Sequence, residues 1–193
     1  MSSESIGIGI LGLGTVGQGV VRILSENSSQ VVSRAGRPPK LVAAAVRELG
    51  KKRDYLPANV ELTDDPASVL ANPAVEIVIE AMGGLEPARS LTLRALQLGK
   101  HVVTANKALL AEYGEEIFEA ARQAGRAVCF EAAVGGGIPI IQGLQVGLAA
   151  NRIKSISAIL NGTCNFILTA MTRDGLAYAD VLAEAQRLGY AEA

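Results

Sequence analysis

The residues with the most chemical promise in this 193-residue chain are glycines. "GIGILGLGTVGQGV", from Gly7 to Val20, holds six of them, five of which form two overlapping matches to G-x-G-x-x-G, one on Gly7, Gly9 and Gly12, the other on Gly12, Gly14 and Gly17. In a dinucleotide-binding turn the first glycine makes the tight turn after a strand. The second lets the backbone approach a pyrophosphate, and the third lets the following helix pack on the strand. Only the second match meets those demands, because Gly7 and Gly9 fall inside the apolar run and read as packing positions. With Gly12 at the turn, the amides of Leu13, Gly14, Thr15 and Val16 come to the start of a helix. Unpaired N–H groups and the positive end of the helix dipole favour phosphate there, and Thr15 adds a hydroxyl. The competing reading is a glycine-rich turn with no ligand.

Two cations extend the candidate site. Arg47 follows the second predicted strand, at the place where a carboxylate selects the NAD ribose and a cation welcomes the NADP phosphate. Glu48 and the cluster Lys51, Lys52 and Arg53 come next, so NADP is favoured with NAD tolerated; the alternative is a solvated basic loop. Lys107 follows the run Val102 to Thr104, at the carboxyl edge where open α/β sheets bind ligands, although a surface lysine at a helix start would look the same. His101 is the only histidine, which removes imidazole triads and multi-histidine metal sites. Cys129 and Cys164 have no metal-ligand spacing and read as small buried hydrophobes in a reducing compartment.

These residues need a scaffold, and composition allows one: 49% of residues are hydrophobic, enough for a packed core. The 18 basic and 19 acidic side chains nearly cancel, leaving no field to hold nucleic acid or an anionic membrane. No apolar run reaches the roughly 18 residues of a membrane span, and "MSSES" lacks a basic leader, so the cytoplasm is expected. Strands are read at Ile6–Leu11, Leu41–Val46, Val60–Leu62, Ala74–Ala81 and Lys100–Asn106, with a last one in "RAVCF". Helices are read from Val16 to Leu24, through Ala88, Leu91, Ala95 and Leu98 to a stop at Gly99, and through Leu110, Tyr113, Ile117 and Ala121 to Gly125. Such alternation predicts an α/β fold, a doubly wound parallel sheet of Rossmann type, over residues 1–133. After a boundary near residues 131–137, "GGGIPIIQGL" opens a helix and Arg152 to Leu160 reads as a strand. Helices follow over Cys164–Thr172 and Ala179–Leu188. Residues 134–193 are therefore expected to begin an α+β catalytic and dimerisation domain. "NGTCNF" reads as a turn at Asn161 and Gly162, with Thr163 capping the next helix and Cys164 packed.

The blocks "GLGTVGQGV", "EAMGG", "GKHVVTANKALLA", "EAAVGGGIPI", "ILNGTCNFIL" and "LGYAEA", in this order across essentially all of the chain, resemble homoserine dehydrogenase. The resemblance implies reversible NAD(P)-dependent reduction of L-aspartate 4-semialdehyde to L-homoserine, on the route to threonine, methionine and isoleucine. It implies that Leu13, Thr15 and Val16 meet the cofactor pyrophosphate, Arg47 the adenosine ribose or its phosphate, and Lys107 the nicotinamide side of the cleft. It further implies a sodium ion held by Glu131, Val134, Gly136 and Ile138, in a segment that otherwise reads as an interdomain hinge; the two readings are compatible. Gly189 would reach the cofactor and Glu192 the substrate amine, and "NGTCNF" would belong to a dimer or higher homo-oligomer.

In the family an aspartate-rich block with the general-acid lysine comes after "LGYAEA", so the 193 residues alone are expected to lack turnover. Hydride delivery to an aldehyde leaves an alkoxide that an ammonium can stabilise and protonate. Lys107 is the lysine present that merits testing, with positioning as its expected job. A different Rossmann oxidoreductase and a non-catalytic nucleotide-binding module are the competing functional readings.

Overall fold

Ile6–Leu11 forms β1, its apolar residues alternating between the two faces of the sheet. A computed structural model describes residues 5–191. In it the chain divides into a unit ending at Phe130 and a unit starting at Glu131.

In the first unit β1 is followed by α1 (Thr15–Glu26), α2 (Ser28–Ala35), β2 (Pro39–Ala45), β3 (Glu61–Thr63), α3 (Pro66–Ala71), β4 (Ile77–Glu80), α4 (Ala88–Gln97), β5 (His101–Thr104), α5 (Lys107–Ala124) and β6 (Val128–Cys129). The six strands lie in the order β3-β2-β1-β4-β5-β6. Every pairing is parallel, as the βα alternation predicts. The chain therefore reverses its direction of travel across the sheet between β1 and β4, and the crevice outside the carboxyl ends of those two strands is where such sheets take ligands.

Consecutive residues of β1 serve opposite cores. Ile8 and Ile10 join Val21 of α1 with Leu41, Ala44 and Val46, while Leu11 joins Val69 and Leu70 of α3, Leu96 of α4, and Leu109 and Ile117 of α5. Helices thus cover both faces, the doubly wound arrangement. Two helices exceed the sequence expectation. α3 is begun by Asp65, whose carboxylate accepts the Ala67 amide at 2.9 Å, with Pro66 at the first helical position; that cap signal stands in "DDPASVL". α2 is polar, buries none of its residues and ends at Gly36, so no apolar periodicity announced it.

At the amino edge of the sheet, Lys100 is 7% exposed. Its ammonium donates to the carbonyls of Asn72 at 3.0 Å and Val75 at 2.7 Å, and burial pulls it below the usual lysine range. It ties the loop before β4 to the start of β5. Lys100→Ala removes both bonds, leaving the Asn72 carbonyl only the Val75 amide at 3.1 Å, and is expected to destabilise the unit by about 2 kcal/mol in urea unfolding; an unchanged midpoint would contradict this role.

The second unit contains a 3₁₀ turn (Glu131–Ala133), the short α6 (Ile140–Gln142) running into a π-type turn (Gly143–Gly147), α7 (Gly162–Asp174) and α8 (Tyr178–Arg187). Ile167 of α7 packs with Val181 and Ala185 of α8, joined by Phe166, Met171 and Leu182. Three expectations are corrected here. Arg152 to Leu160 forms no strand: it is exposed throughout and pairs with no strand among the described residues, and a strand exists only where a neighbour satisfies its backbone. Asn161, not Thr163, caps α7 by accepting the Cys164 amide at 2.9 Å, and the Thr163 hydroxyl instead donates to the Tyr190 carbonyl. Cys129 and Cys164 are both exposed. Cys129 stands on the edge strand β6, and Cys164 belongs to none of the hydrophobic clusters.

Candidate functional site

The glycines of the two overlapping motifs separate by what surrounds them. A Cβ on Gly7 would lie 1.6 Å from the Ala74 carbonyl oxygen, and one on Gly9 2.7 Å from Val69 Cγ1. Both are packing positions inside the sheet, as their place in the strand requires. Gly12 turns the chain with a φ of 96°, its amide donating to the Ala45 carbonyl at 2.9 Å. A Cβ there would meet the Ala81 carbonyl oxygen at 2.6 Å. At Gly17 it would meet the Gly12 carbonyl oxygen at 2.0 Å, so α1 rests directly on the turn. Gly14 has nothing within 4 Å. Turn, open approach and helix packing therefore fall to Gly12, Gly14 and Gly17 in the order that pyrophosphate binding demands.

Gly14 is also the N-cap of α1. It supplies no side-chain acceptor, and no acidic residue stands in the first turn. The first amides of the helix have no intrahelical acceptors and are left for an external anion. Thr15 and Val16 are exposed, Val16 to 53%. Leu13 is buried in the cluster with Ile10 and Val21, so only its backbone is available to a ligand.

β2 ends beside this turn, since Ala45 pairs with Leu11 and holds Gly12. Arg47, two residues on, is exposed. The neighbouring basic cluster is largely engaged: Arg53 donates to the carbonyls of Glu48 and Lys51 at 2.7 Å each, and Lys52 pairs with Asp54 at 3.6 Å. Arg53 thus folds its own loop rather than offering charge outward. The loop is anchored to α1, with the Asp54 amide donating to Gln18 Oε1 at 3.3 Å and the Arg22 guanidinium 5.6 Å from the Tyr55 ring centroid.

Lys107 opens α5 and is exposed. Asn106 caps that helix, its Oδ1 accepting the Leu109 amide at 3.1 Å. Between β4 and β5 lies a feature that the sequence reading missed. Glu80 is 0% exposed. Its Oε1 accepts the Met82 amide at 2.9 Å and the Gly83 amide at 3.4 Å, and its Oε2 accepts the Thr104 hydroxyl at 2.6 Å. Thr104 Oγ1 accepts the Asn106 amide at 3.0 Å, and Asn106 Nδ2 donates to the Gly84 carbonyl at 2.6 Å. The available signal was the second of the two glutamates in the apolar run "AVEIVIEA", next to its end.

In the second unit, Glu131 spends its carboxylate on the amides of Ile141 at 2.9 Å and Gln142 at 2.8 Å. Gly135 and Gly136 both have positive φ, and the carbonyl of Ile138 accepts the Ile140 amide at 2.8 Å. The carbonyls of Val134, Gly136 and Ile138 are hard oxygen donors of the type a monovalent cation takes. The Glu131 carboxylate, by contrast, is engaged within the unit. Gly189 ends α8 with a φ of 75°, which by itself accounts for glycine there. Glu192 lies outside the described residues. The first unit thus brings together Gly12, Leu13, Gly14, Thr15, Val16, Gly17 and Arg47 at one edge, with Lys107 at the carboxyl end of β5. Glu131, Val134, Gly136, Ile138 and Gly189 belong to the second. No described helix is long and apolar enough to cross a membrane.

Comparison with known proteins covers both units. Residues 12–131 match the family described as homoserine dehydrogenase, NAD binding domain, and residues 139–193 match the family described as homoserine dehydrogenase. The chain is 50% identical over 190 residues to a homoserine dehydrogenase of Neisseria gonorrhoeae and 51% identical over 194 residues to one of Synechocystis, covering 98% of this chain and 43% of each relative. Among solved structures, a homoserine dehydrogenase from Thiobacillus denitrificans superposes with a TM-score of 0.89 at 54% identity, over 98% of this chain and 44% of that one. A hyperthermophilic archaeal homoserine dehydrogenase in complex with NADPH superposes with a TM-score of 0.79 at 27% identity, over 97% of this chain and 62% of that one. The chain therefore spans less than half the length of the curated relatives named here.

Proposed function

The chain belongs to the homoserine dehydrogenase family, and on that premise we propose that its first unit holds a nicotinamide dinucleotide at the carboxyl edge of the sheet. There it serves hydride transfer between L-aspartate 4-semialdehyde and L-homoserine. The observation that carries the reading is the division of labour among Gly12, Gly14 and Gly17: two of them are required by contacts of the fold, and the middle one faces open space. A ligand-free turn gives that middle glycine only the modest preference of an N-cap position. The pyrophosphate would lie against the amides of Leu13 to Val16, with the Thr15 hydroxyl beside it.

When bound, the nicotinamide supplies or takes back the hydride. The chain's own residues hold the dinucleotide by its phosphates, keep the reacting ends in register and place the Lys107 ammonium at the nicotinamide half of the cleft. The substrate amine would be met by Glu192, and Gly189 would reach the cofactor. A sodium ion would be held by the carbonyls of Val134, Gly136 and Ile138 together with Glu131. The donor chemistry suits the ion, and the engaged Glu131 carboxylate leaves that residue's backbone as its contribution. Titration with sodium and potassium, read by the thermal midpoint, tests this; equal midpoints in both salts would count against it. Self-association is part of the same reading, supported by the exposed Ile153, Ile156 and Ile159 of the second unit and tested by sedimentation.

NADP is favoured over NAD because Arg47 stands exposed just beyond the end of β2, with no described hydrogen bond or ion pair of its own, where it would meet the phosphate on the ribose. Arg47→Glu is expected to lower the ratio of NADPH to NADH affinity by about 30-fold, the loss of one charge-assisted contact plus a repulsion. Fluorescence titration with the two nucleotides measures it, and a ratio unchanged in the variant would remove Arg47 from the site. For the function as a whole, the deciding assay is semialdehyde-dependent oxidation of NADPH, run on this chain and on any longer product of the same gene. Absence of turnover in both would overturn the proposal.

A further inference from the structure

Glu80 is fully buried and has no ion-pair partner among the described residues. Burying an unpaired carboxylate is expensive unless donors surround it, and three do: the amides of Met82 and Gly83 and the hydroxyl of Thr104. All are donors, so the group they suit is a carboxylate, which only accepts.

The hydrogen bonds form a closed ring. From Glu80 it passes to Thr104, from Thr104 to the Asn106 amide, and from Asn106 Nδ2 to the Gly84 carbonyl, returning to the turn that Glu80 itself holds. The ring fastens two loops to each other, one after β4 and one after β5. The first presents Gly83 and Gly84, exposed and with nothing within 4 Å of a Cβ on either. The second starts α5, with Asn106 as cap and Lys107 as first residue. Both lie in the β4–β6 half of the sheet. In doubly wound folds with this strand order the two halves each bind one mononucleotide. The glycine turn and Arg47 occupy the β1–β3 half, so the Glu80 ring belongs to the half that would take the other nucleotide.

We propose that Glu80 is a positioning residue for the nicotinamide half of the cofactor: it locks the Gly83–Gly84 turn to the start of α5, so that the open backbone of the one and Lys107 of the other face the same nucleotide. The inference rests on the dinucleotide reading above and adds to it a residue that never touches the ligand. A neutral amide is an incomplete replacement: its oxygen can take both backbone amides, but its N–H₂ would face the Thr104 hydroxyl, which would have to turn and accept, leaving its own O–H without the acceptor it has now.

The test compares whole cofactor with half cofactor. In Glu80→Gln and Thr104→Val the affinity of the chain for NADPH is expected to fall about tenfold or more, as the two loops lose their common anchor. Affinity for 2′,5′-ADP, which carries only the adenosine half, is expected to stay within about twofold in both variants, a loss below the tenfold step that marks a removed contact. Thr104→Ser keeps the hydroxyl and is expected to bind NADPH as the parent does. General loosening of the fold would weaken both ligands together, so parallel losses overturn the proposal, as does unchanged NADPH affinity in the two variants. Should Glu80→Gln fail to fold, the Thr104 pair decides alone: valine and serine behaving alike overturns it. A parent chain that binds neither ligand overturns the dinucleotide reading itself, an outcome distinct from variants that match a binding parent.

Discussion

Gly17→Ala is expected to destabilise the first unit by about 3 kcal/mol or more, while Gly14→Val abolishes nucleotide binding in a unit that stays folded. The two residues are three apart in one motif, and the difference lies in what a Cβ meets. At Gly17 the new atom would be 2.0 Å from the Gly12 carbonyl oxygen and 3.0 Å from its carbon. Both are backbone atoms of a turn already pinned to Ala45, so α1 has to lift off β1, and overpacking of that kind costs kilocalories. At Gly14 the backbone is extended, with φ −77° and ψ −158°, and the space is empty, so the fold loses only the modest N-cap preference of glycine over valine, about 1 kcal/mol or less. The isopropyl group would instead occupy the place where a pyrophosphate must touch main chain. NADPH affinity is expected to fall at least about a hundredfold, roughly 2.7 kcal/mol. Urea unfolding and fluorescence titration on both variants check the pair. A Gly14→Val chain that binds NADPH normally would leave the turn without its ligand.

How far the sequence discloses this arrangement depends on whether a feature is local. The β1–turn–α1 unit was legible because strand, glycine spacing and helix start follow one another within residues 6–26, and each constrains the next. The same holds for Arg47 and Lys107, whose positions two and three residues beyond the ends of β2 and β5 place them at the carboxyl edge of a parallel sheet. The Glu80 ring was not legible, because Thr104 lies 24 residues away and becomes a partner only when β4 pairs with β5 in the register Glu80 to Thr104. Arg53 shows the opposite error: composition placed it in a cationic patch, yet its hydrogen bonds turn it onto its own loop. The segment from Arg152 to Leu160 carries β-branched residues suited to a strand, but strand formation is a property of two segments, and the described residues supply no second one.

The Lys107 variant separates stability from function more sharply than any other. As the first residue of α5 its ammonium sits at the positive end of the helix dipole, with no acidic residue in the first turn to offset it. A cation there costs about 0.3–1 kcal/mol, and alanine is the better helix former, so Lys107→Ala is expected to leave the first unit as stable as before or slightly more so. A residue that the local fold disfavours and does not use calls for another reason, and the proposed reaction supplies one: a positive charge beside the nicotinamide half, where an alkoxide forms or is consumed. Turnover of the semialdehyde with NADPH is therefore expected to fall about a hundredfold in Lys107→Ala, in whichever form of the protein carries the activity, while the thermal midpoint holds or rises. The loss should appear in kcat more than in the KM for NADPH, since the phosphates are held elsewhere, by the turn at Gly12 and by Arg47. A variant with parental kcat would return Lys107 to the status of a surface lysine. One that lost activity together with several degrees of stability would show that its role is to hold α5 in place.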